Sequence, residues 1–162
     1  MANPSFIEFE HVIEINDPNK PQEWISRDAL WQGLVYRAKY PGYFSQGLQS
    51  EIETVHEWGF VRILSAGSMT LRDEVTLDAE RAEIQTLIDG QTEAMHAESQ
   101  TTIKTPQQNM LQVRFFYRRS GLPNVNGVDA ESVLKSAYVQ NDQAAIEKIR
   151  QMILDGWSET PG

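Results

Sequence analysis

The fold is decided by one long stretch near the end of the sequence, residues 129–155, DAESVLKSAYVQNDQAAIEKIRQMILD. Its apolar residues recur at steps of three and four, which places them on one face of a helix. They are Ala130, Leu134, Ala137, Tyr138, Ala145, Ile149, Met152 and Ile153. The same spacing predicts a polar face with Lys135, Gln140, Asp142, Glu147 and Lys148. Asp129 is suited to cap the first turn and Gly156 to end the last, so we expect a helix about 40 Å long.

The residues before this helix are patterned mainly as β-strands. In residues 6–15 every second side chain is apolar or is His11, while Glu8, Glu10 and Glu14 lie on the opposite face. This alternation is typical of a half-buried strand. Six further strand-like runs are separated by turn-forming residues, with no helical segment between them, so antiparallel hairpins are the simplest connections. The runs cover residues 49–57, 60–66, 69–78, 82–88, 94–104 and 110–119.

A short helix is predicted between the first strand and the others. Ser26 is a candidate N-cap, and Leu30, Leu34 and their neighbours give an amphipathic pattern of about three turns. Pro41 follows where the helix should end. Residues 43–48 are compatible with one further helical turn.

Composition narrows the classes of protein that this chain can represent. With 162 residues, 40% of them apolar and 23% charged, the chain is expected to form one globular domain over residues 1–162. A net charge of −9 argues against binding to nucleic acid or to an anionic membrane. No apolar run approaches the roughly 18 residues of a membrane span, and there is no cysteine. We therefore expect a cytoplasmic protein, monomeric or homodimeric, without a metal or other cofactor.

Three motifs within this order of elements are similar to those of a known family. They are FEHVIEIN at 9–16, LWQGL at 30–34 and LRDEVTL at 71–77. The chain resembles the AtaL-like group of the START-like (SRPBCC) superfamily, whose relatives include the birch-pollen allergen, over nearly its whole length. The resemblance implies an α+β helix-grip fold, in which a curved seven-stranded antiparallel sheet wraps around a long C-terminal helix, with one or two short helices after the first strand. It also implies an apolar cavity between the sheet and the C-terminal helix, and it supplies no catalytic motif.

The alternation of the strands predicts which side chains face that cavity. The candidate ligand-binding residues are Phe9, His11, Leu71, Asp73, Ser99, Thr101, Phe115, Tyr117 and Tyr138. Among them, His11 and Asp73 interrupt apolar faces, and a buried ionisable group needs a partner or water. They are either acid–base groups in a cavity, where they can pair with one another, or structural groups. In the structural reading His11 is a hydrogen-bonded core histidine, and Asp73 pairs with Arg72 or Arg62 or caps a β-bulge.

Three functions remain open at this point. The first is the binding of a hydrophobic or aromatic small molecule. The second is an enzyme similar to the polyketide cyclases and aromatases of the superfamily, with His11 as the best candidate general base and Asp73 or Tyr117 as an orienting group. The third is a protein-interaction module similar to a co-chaperone, which would be favoured by an exposed apolar patch above a filled cavity.

Overall fold

The alternating segments pair into one seven-stranded antiparallel sheet in the computed structural model, which describes residues 6–88, 96–107, 110–120 and 129–158. The strands are β1 (Phe6–Glu14), β2 (Leu48–His56), β3 (Gly59–Ala66), β4 (Met69–Asp78), β5 (Glu83–Ile88), β6 (Ala97–Gln107) and β7 (Met110–Ser120). Their order across the sheet is β1-β7-β6-β5-β4-β3-β2, so each strand from β2 to β7 neighbours the next, and β1 is the edge strand beside β7. The predicted curved sheet is confirmed. Positions 94 and 95 of the predicted sixth strand lie outside the described residues.

Two α-helices, α1 (Arg27–Lys39) and α2 (Ala130–Leu154), complete the described part of the fold. The hydroxyl of Ser26 accepts a hydrogen bond of 3.1 Å from the backbone N–H of Ala29, which confirms the predicted N-cap of α1. The further helical turn predicted in residues 43–48 is wrong in its position. Short 3₁₀ turns occur at Pro21–Glu23 and Pro41–Tyr43, because proline has the φ angle that the first position of a helical turn requires.

Helix α2 begins and ends as the sequence predicts. The Asp129 carboxylate accepts hydrogen bonds from the Ser132 hydroxyl at 2.8 Å and from the Ser132 backbone N–H at 3.2 Å. These two bonds lower the pKa of Asp129, because they favour its charged form. At the other end, Gly156 takes a φ of +96° and the N–H of Trp157 bonds to the carbonyl of Met152. The helix contains 25 residues and is therefore about 37 Å long.

The core lies between one face of the sheet and the two helices. Leu30 of α1, Ile149 of α2, Val75 of β4 and Val113 of β7 have no exposed surface and belong to one apolar cluster. The alternation that predicted the strands thus also identifies their buried faces, since Val75 and Val113 lie on the predicted apolar faces. Within the described residues, no helix is long and apolar enough to cross a membrane.

One residue of α2 contradicts the predicted polar face of that helix. Asp142 is completely buried, whereas the sequence pattern placed it on the polar face together with Glu147. Its position explains the difference, because Asp142 lies four residues after Tyr138 and three residues before Ala145, which puts it in line with the apolar stripe. Ile146, which the predicted stripe omits, is also buried.

Gly33 of α1 packs directly against Ile149 of α2. A β-carbon at this position would lie 2.4 Å from Cγ2 of Ile149, so the absence of a side chain allows α1 to contact α2.

Replacing Gly33 with alanine is expected to lower the free energy of unfolding by up to about 2 kcal/mol. Overpacking costs about 1–3 kcal/mol, and the better helix propensity of alanine returns about 1 kcal/mol. Urea denaturation of Gly33→Ala, of Ile149→Ala and of the double variant measures the effect. In the Ile149→Ala background the overpacking should disappear. If Gly33→Ala costs the same in both backgrounds, the contact between the helices is not as described.

Candidate ligand-binding site

The centre of the site is the buried carboxylate of Asp142 on α2. Its Oδ2 accepts a hydrogen bond of 2.7 Å from Nε2 of His11 on β1 and one of 2.6 Å from the hydroxyl of Tyr117 on β7. Because an ionised carboxylate only accepts hydrogen bonds, Nε2 of His11 carries the proton in this contact. The antiparallel pairing of β1 and β7, which sets His11 opposite Phe115, brings both donors to the same oxygen.

Arg37 of α1 supplies the positive charge that faces this carboxylate. Its NH2 lies 2.9 Å from Oδ1 of Asp142, the oxygen that neither His11 nor Tyr117 uses. Oδ1 has no well-directed hydrogen bond within the described part of the chain, so the contact with Arg37 is an ion pair by distance but not an aligned N–H···O bond. A buried carboxylate is costly unless its charge is compensated, and Arg37 is the compensating group.

Aromatic rings hold the two hydrogen-bond donors in place. The His11 ring is stacked between Phe9, at 5.6 Å between centroids, and Phe115, at 5.0 Å. Tyr117 stacks on Tyr138 of α2 at 3.9 Å, with the two rings nearly parallel. Burial, and secondly the charge of Asp142, raise the pKa of Tyr117. The hydroxyl therefore stays protonated and acts as a donor.

Asp73 belongs to a different contact. Its two carboxylate oxygens accept hydrogen bonds from Nε and NH2 of Arg62 on β3, at 2.8 and 3.0 Å, and NH1 of Arg62 also donates to the carbonyl of Ala38. The possible pair of His11 with Asp73 is therefore wrong: His11 pairs with Asp142. The structural reading of Asp73, a pair with Arg62, is confirmed.

A cavity of about 210 Å³ lies beside the Asp142 cluster, which comprises Asp142, His11, Tyr117 and Arg37. Its polar lining consists of Arg37, Ser45, Arg62, Thr86, Ser99, Thr101 and Tyr117. Its apolar lining consists of Leu34, Ala38, Pro41, Leu48 and Ile84. The cavity is thus bounded by the sheet, the end of α1 and the 3₁₀ turn at Pro41–Tyr43, and no described residue of α2 lines it. The prediction that α2 lines the cavity is therefore not met, because residues of α1 line it instead. The lining also contains polar as well as apolar side chains, whereas an apolar cavity was expected.

Two other depressions lie away from the Asp142 cluster. One is about 270 Å³ in volume and is lined by β5 and β6, with Gln85, Leu87 and Gln100. The other is about 560 Å³ in volume and lies by the end of β1, among charged side chains that include Glu14, Glu23 and Glu147. Neither contains a residue of the Asp142 cluster. The 210 Å³ cavity, which Arg37 and Tyr117 line, is therefore the candidate ligand site.

The predicted site residues divide into three groups in the structure. Ser99, Thr101 and Tyr117 line the cavity. Four others belong to the two ring stacks and are not in the lining. Phe9, His11 and Phe115 form one stack, and Tyr138 stacks on Tyr117. Leu71 and Asp73 of β4 are outside the lining as well. Whether any of these residues binds a ligand stays a prediction.

Sequence reasoning missed Arg37 and Asp142 as parts of the site. The signal for Asp142 is its phase on the helix, four residues after Tyr138 and three before Ala145, which aligns it with the apolar stripe. Arg37 follows Leu34 by three residues on α1, and nothing in that spacing indicates its partner on α2. Within residues 6–88, 96–107, 110–120 and 129–158, no three histidine, aspartate or glutamate side chains are grouped so as to hold a metal ion.

Comparisons with known proteins identify relatives of the sequence and of the fold. The family model AtaL, described as acetylaranotin biosynthesis cluster protein L, matches residues 13–156. The comparison with curated protein sequences gave no match.

Three solved structures share the fold at 12% identity. The ZhuI aromatase/cyclase from Streptomyces sp. R1128 aligns with a TM-score of 0.64 over 92% of this chain and 96% of its own. Ara h 8.0201 aligns at 0.61 over 94% of this chain and 100% of its own. A point mutant of norcoclaurine synthase from Thalictrum flavum, in complex with a transition-state analogue, aligns at 0.64 over 93% and 98%. These matches agree with the helix-grip fold.

Proposed function

Because this chain belongs to the AtaL family, within the Bet v 1-like (SRPBCC) superfamily, we propose that it binds a small aromatic molecule in the cavity beside the Asp142 cluster. The observation that carries this proposal is the cavity itself, which combines a partly apolar wall with a few polar groups. That combination is typical of small-molecule sites, where apolar surface supplies affinity and polar groups orient the ligand.

The size of the cavity limits the ligand. Drug-sized ligands occupy sites of about 300–1,000 Å³, whereas engineered apolar cavities of about 150 Å³ bind benzene. A volume of about 210 Å³ therefore fits a compact molecule with one aromatic ring and a small polar substituent. Ile84 and Leu34 provide apolar contacts for such a ring, while Ser99 and Thr101 offer hydroxyls.

Calorimetric titration with one-ring compounds tests this proposal. Benzyl alcohol, benzamide and benzoate serve as probes, and native mass spectrometry of the protein from its own host searches for a bound molecule. We expect saturable binding of at least one probe, with one molecule per chain. The proposal would be overturned if none of the probes binds and the protein from its host is repeatedly empty.

Replacing Thr101 with leucine is expected to weaken probe binding by about fivefold or more, because the larger side chain occupies part of the cavity. Overpacking of about 1–3 kcal/mol corresponds to a factor between about 5 and 150. Lys104→Leu is the matched control, since Lys104 lies on the same strand and is exposed, and it should bind as wild type does. Equal affinity in the two variants would place the site elsewhere.

The geometry supports the two alternative functions less well. His11, the proposed general base, is outside the cavity lining, and its Nε2 is engaged with Asp142. Of the two residues that donate to Asp142, only Tyr117 lines the cavity. Its hydroxyl is a hydrogen-bond donor and not a general base. The interaction module was expected to have a filled cavity, whereas a cavity of about 210 Å³ is present.

The remaining expectations stay predictions. A single domain over residues 1–162, a cytoplasmic location, a monomer or homodimer, and the lack of a nucleic-acid partner rest on length, composition and net charge.

A further inference from the structure

We propose that the ligand of this cavity carries a carboxylate, that Arg37 binds this carboxylate, and that His11 takes up a proton when it binds. The inference rests on the proposed function, since it names the chemical class of the ligand in the same cavity.

The two arginines of the cavity differ in how their donors are used. Arg62 donates through Nε and NH2 to Asp73 and through NH1 to Ala38, so all three of its nitrogens have partners. Arg37 contacts Asp142 through NH2 only, and none of the described residues accepts from its Nε or NH1. A guanidinium has five N–H donors. Arg37 therefore retains donors in the cavity wall that a ligand oxygen can accept from.

A carboxylate is the group that best matches these donors. The guanidinium is planar and presents two forks of parallel N–H groups, NH2 with Nε and NH2 with NH1. Since Asp142 faces only one edge of NH2, the second N–H of NH2 and its neighbour can bind the two oxygens of a carboxylate in parallel. The hydroxyls of Ser99 and Thr101 also line the cavity and can donate to further lone pairs. The ring of an aromatic acid then lies against the apolar part of the lining. A neutral amide of the same shape presents one acceptor oxygen instead of two.

The charges around Asp142 imply that a proton accompanies the ligand. Arg37 and Asp142 cancel each other, so an added carboxylate leaves one uncompensated negative charge. His11 contacts Asp142 of α2, and the same carboxylate contacts Tyr117 from β7 and Arg37 from α1. Lys135 of α2 lies over the neighbouring Phe9 ring and pairs with Glu131.

His11 is the member of this group that can gain a charge near neutral pH, because histidine ordinarily titrates between about pH 5 and 8. A bound carboxylate favours its charged form. By linkage, proton uptake by His11 must then strengthen carboxylate binding by the same factor. If one proton is taken up when the carboxylate binds at pH 7, affinity for the carboxylate should decrease as the pH is raised from 7.

Calorimetry with benzoate and benzamide tests the inference on the wild-type protein, without any substitution. The titrations are done at pH 7 in two buffers with different ionisation enthalpies, so that the difference in heat counts the protons taken up. We expect benzoate to bind about tenfold more tightly than benzamide, with uptake of up to one proton for benzoate and none for benzamide.

Three variants separate the roles of the residues. Arg37→Gln should abolish the preference for benzoate, and Arg37→Lys, which keeps the charge without the fork, should reduce it. Arg27→Gln is the matched control, because Arg27 is an exposed residue of the same helix, and it should keep the preference. His11→Gln can still donate to Asp142 but cannot titrate, so it should bind benzoate without proton uptake.

The outcomes distinguish this inference from the proposed function. If benzamide binds as tightly as benzoate, the cavity binds aromatic molecules but the carboxylate inference is wrong. If benzoate is preferred without proton uptake, the role of His11 is wrong. If neither probe nor any other one-ring compound binds, the proposed function itself fails.

Discussion

Replacing Asp142 with alanine is expected to lower the free energy of unfolding by about 3–5 kcal/mol, the usual cost of removing one partner of a buried ion pair. The substitution leaves Nε2 of His11, the hydroxyl of Tyr117 and the guanidinium of Arg37 without their common acceptor. Equilibrium unfolding in urea, followed by circular dichroism, measures the change.

Glu147→Ala is the matched control for this substitution. Glu147 lies on the same helix and its side chain is 70% exposed, so its replacement should change stability by no more than about 0.5 kcal/mol. The sequence pattern placed both residues on the polar face of α2. Equal and small effects for the two variants would restore that prediction and contradict the buried Asp142 cluster.

Gly59→Ala is expected to lower the free energy of unfolding by about 3 kcal/mol or more, through backbone strain and overpacking together. Gly59 begins β3 with a φ of +152°, and a β-carbon there would lie 1.9 Å from the carbonyl oxygen of Val75 on β4. That oxygen belongs to the backbone of a neighbouring strand and cannot move away without disturbing the sheet. Urea midpoints measure the loss.

Gly67→Ala provides the comparison, since Gly67 also has a positive φ, of +60°, but has no atom within 4 Å of the added β-carbon. It should lose only the cost of the left-handed conformation, about 1–2 kcal/mol. If the two glycine variants unfold at the same urea concentration, the close approach of β3 and β4 at Gly59 is wrong.

The sheet could be predicted because each strand carries its own evidence. In β1 burial alternates along the strand, and the buried residues Ile7 and, directly after the strand, Ile15 belong to the predicted apolar face. Turn-forming residues between consecutive runs favoured hairpins, and the observed strand order contains those hairpins. Local patterns suffice here because side chains alternate between the two faces of a strand. A shift of one residue in the pairing would therefore move every apolar side chain from the core to the solvent.

The Asp142 cluster could not be predicted because it depends on how distant elements pack. The contact between Arg37 and Asp142 joins α1 to α2, which also pack together at Gly33 and Ile149. The spacing of residues within either helix does not indicate which residues of the other helix it contacts. Asp142 was therefore assigned to the polar face of α2, although its phase on the helix aligns it with the apolar stripe and its three partners compensate for its burial.

The place of the cavity was also beyond the sequence, for the same reason. Strand alternation gives the face on which Ser99, Thr101 and Tyr117 lie, and all three line the cavity. Which helix covers that face depends on tertiary packing. The end of α1 and the 3₁₀ turn after it line the cavity, whereas α2 was expected to do so.

A one-ring ligand is proposed to occupy the cavity lined by Tyr117 and Arg37. Isotope-filtered NOE spectroscopy of the ¹³C-labelled protein with unlabelled benzoate, or with benzyl alcohol if that probe binds more tightly, locates the bound ring. We expect intermolecular NOEs from the ring protons to the methyl groups of Leu34, Ile84 and Thr101. Saturable binding with NOEs only to residues outside this lining would show that the ligand binds elsewhere.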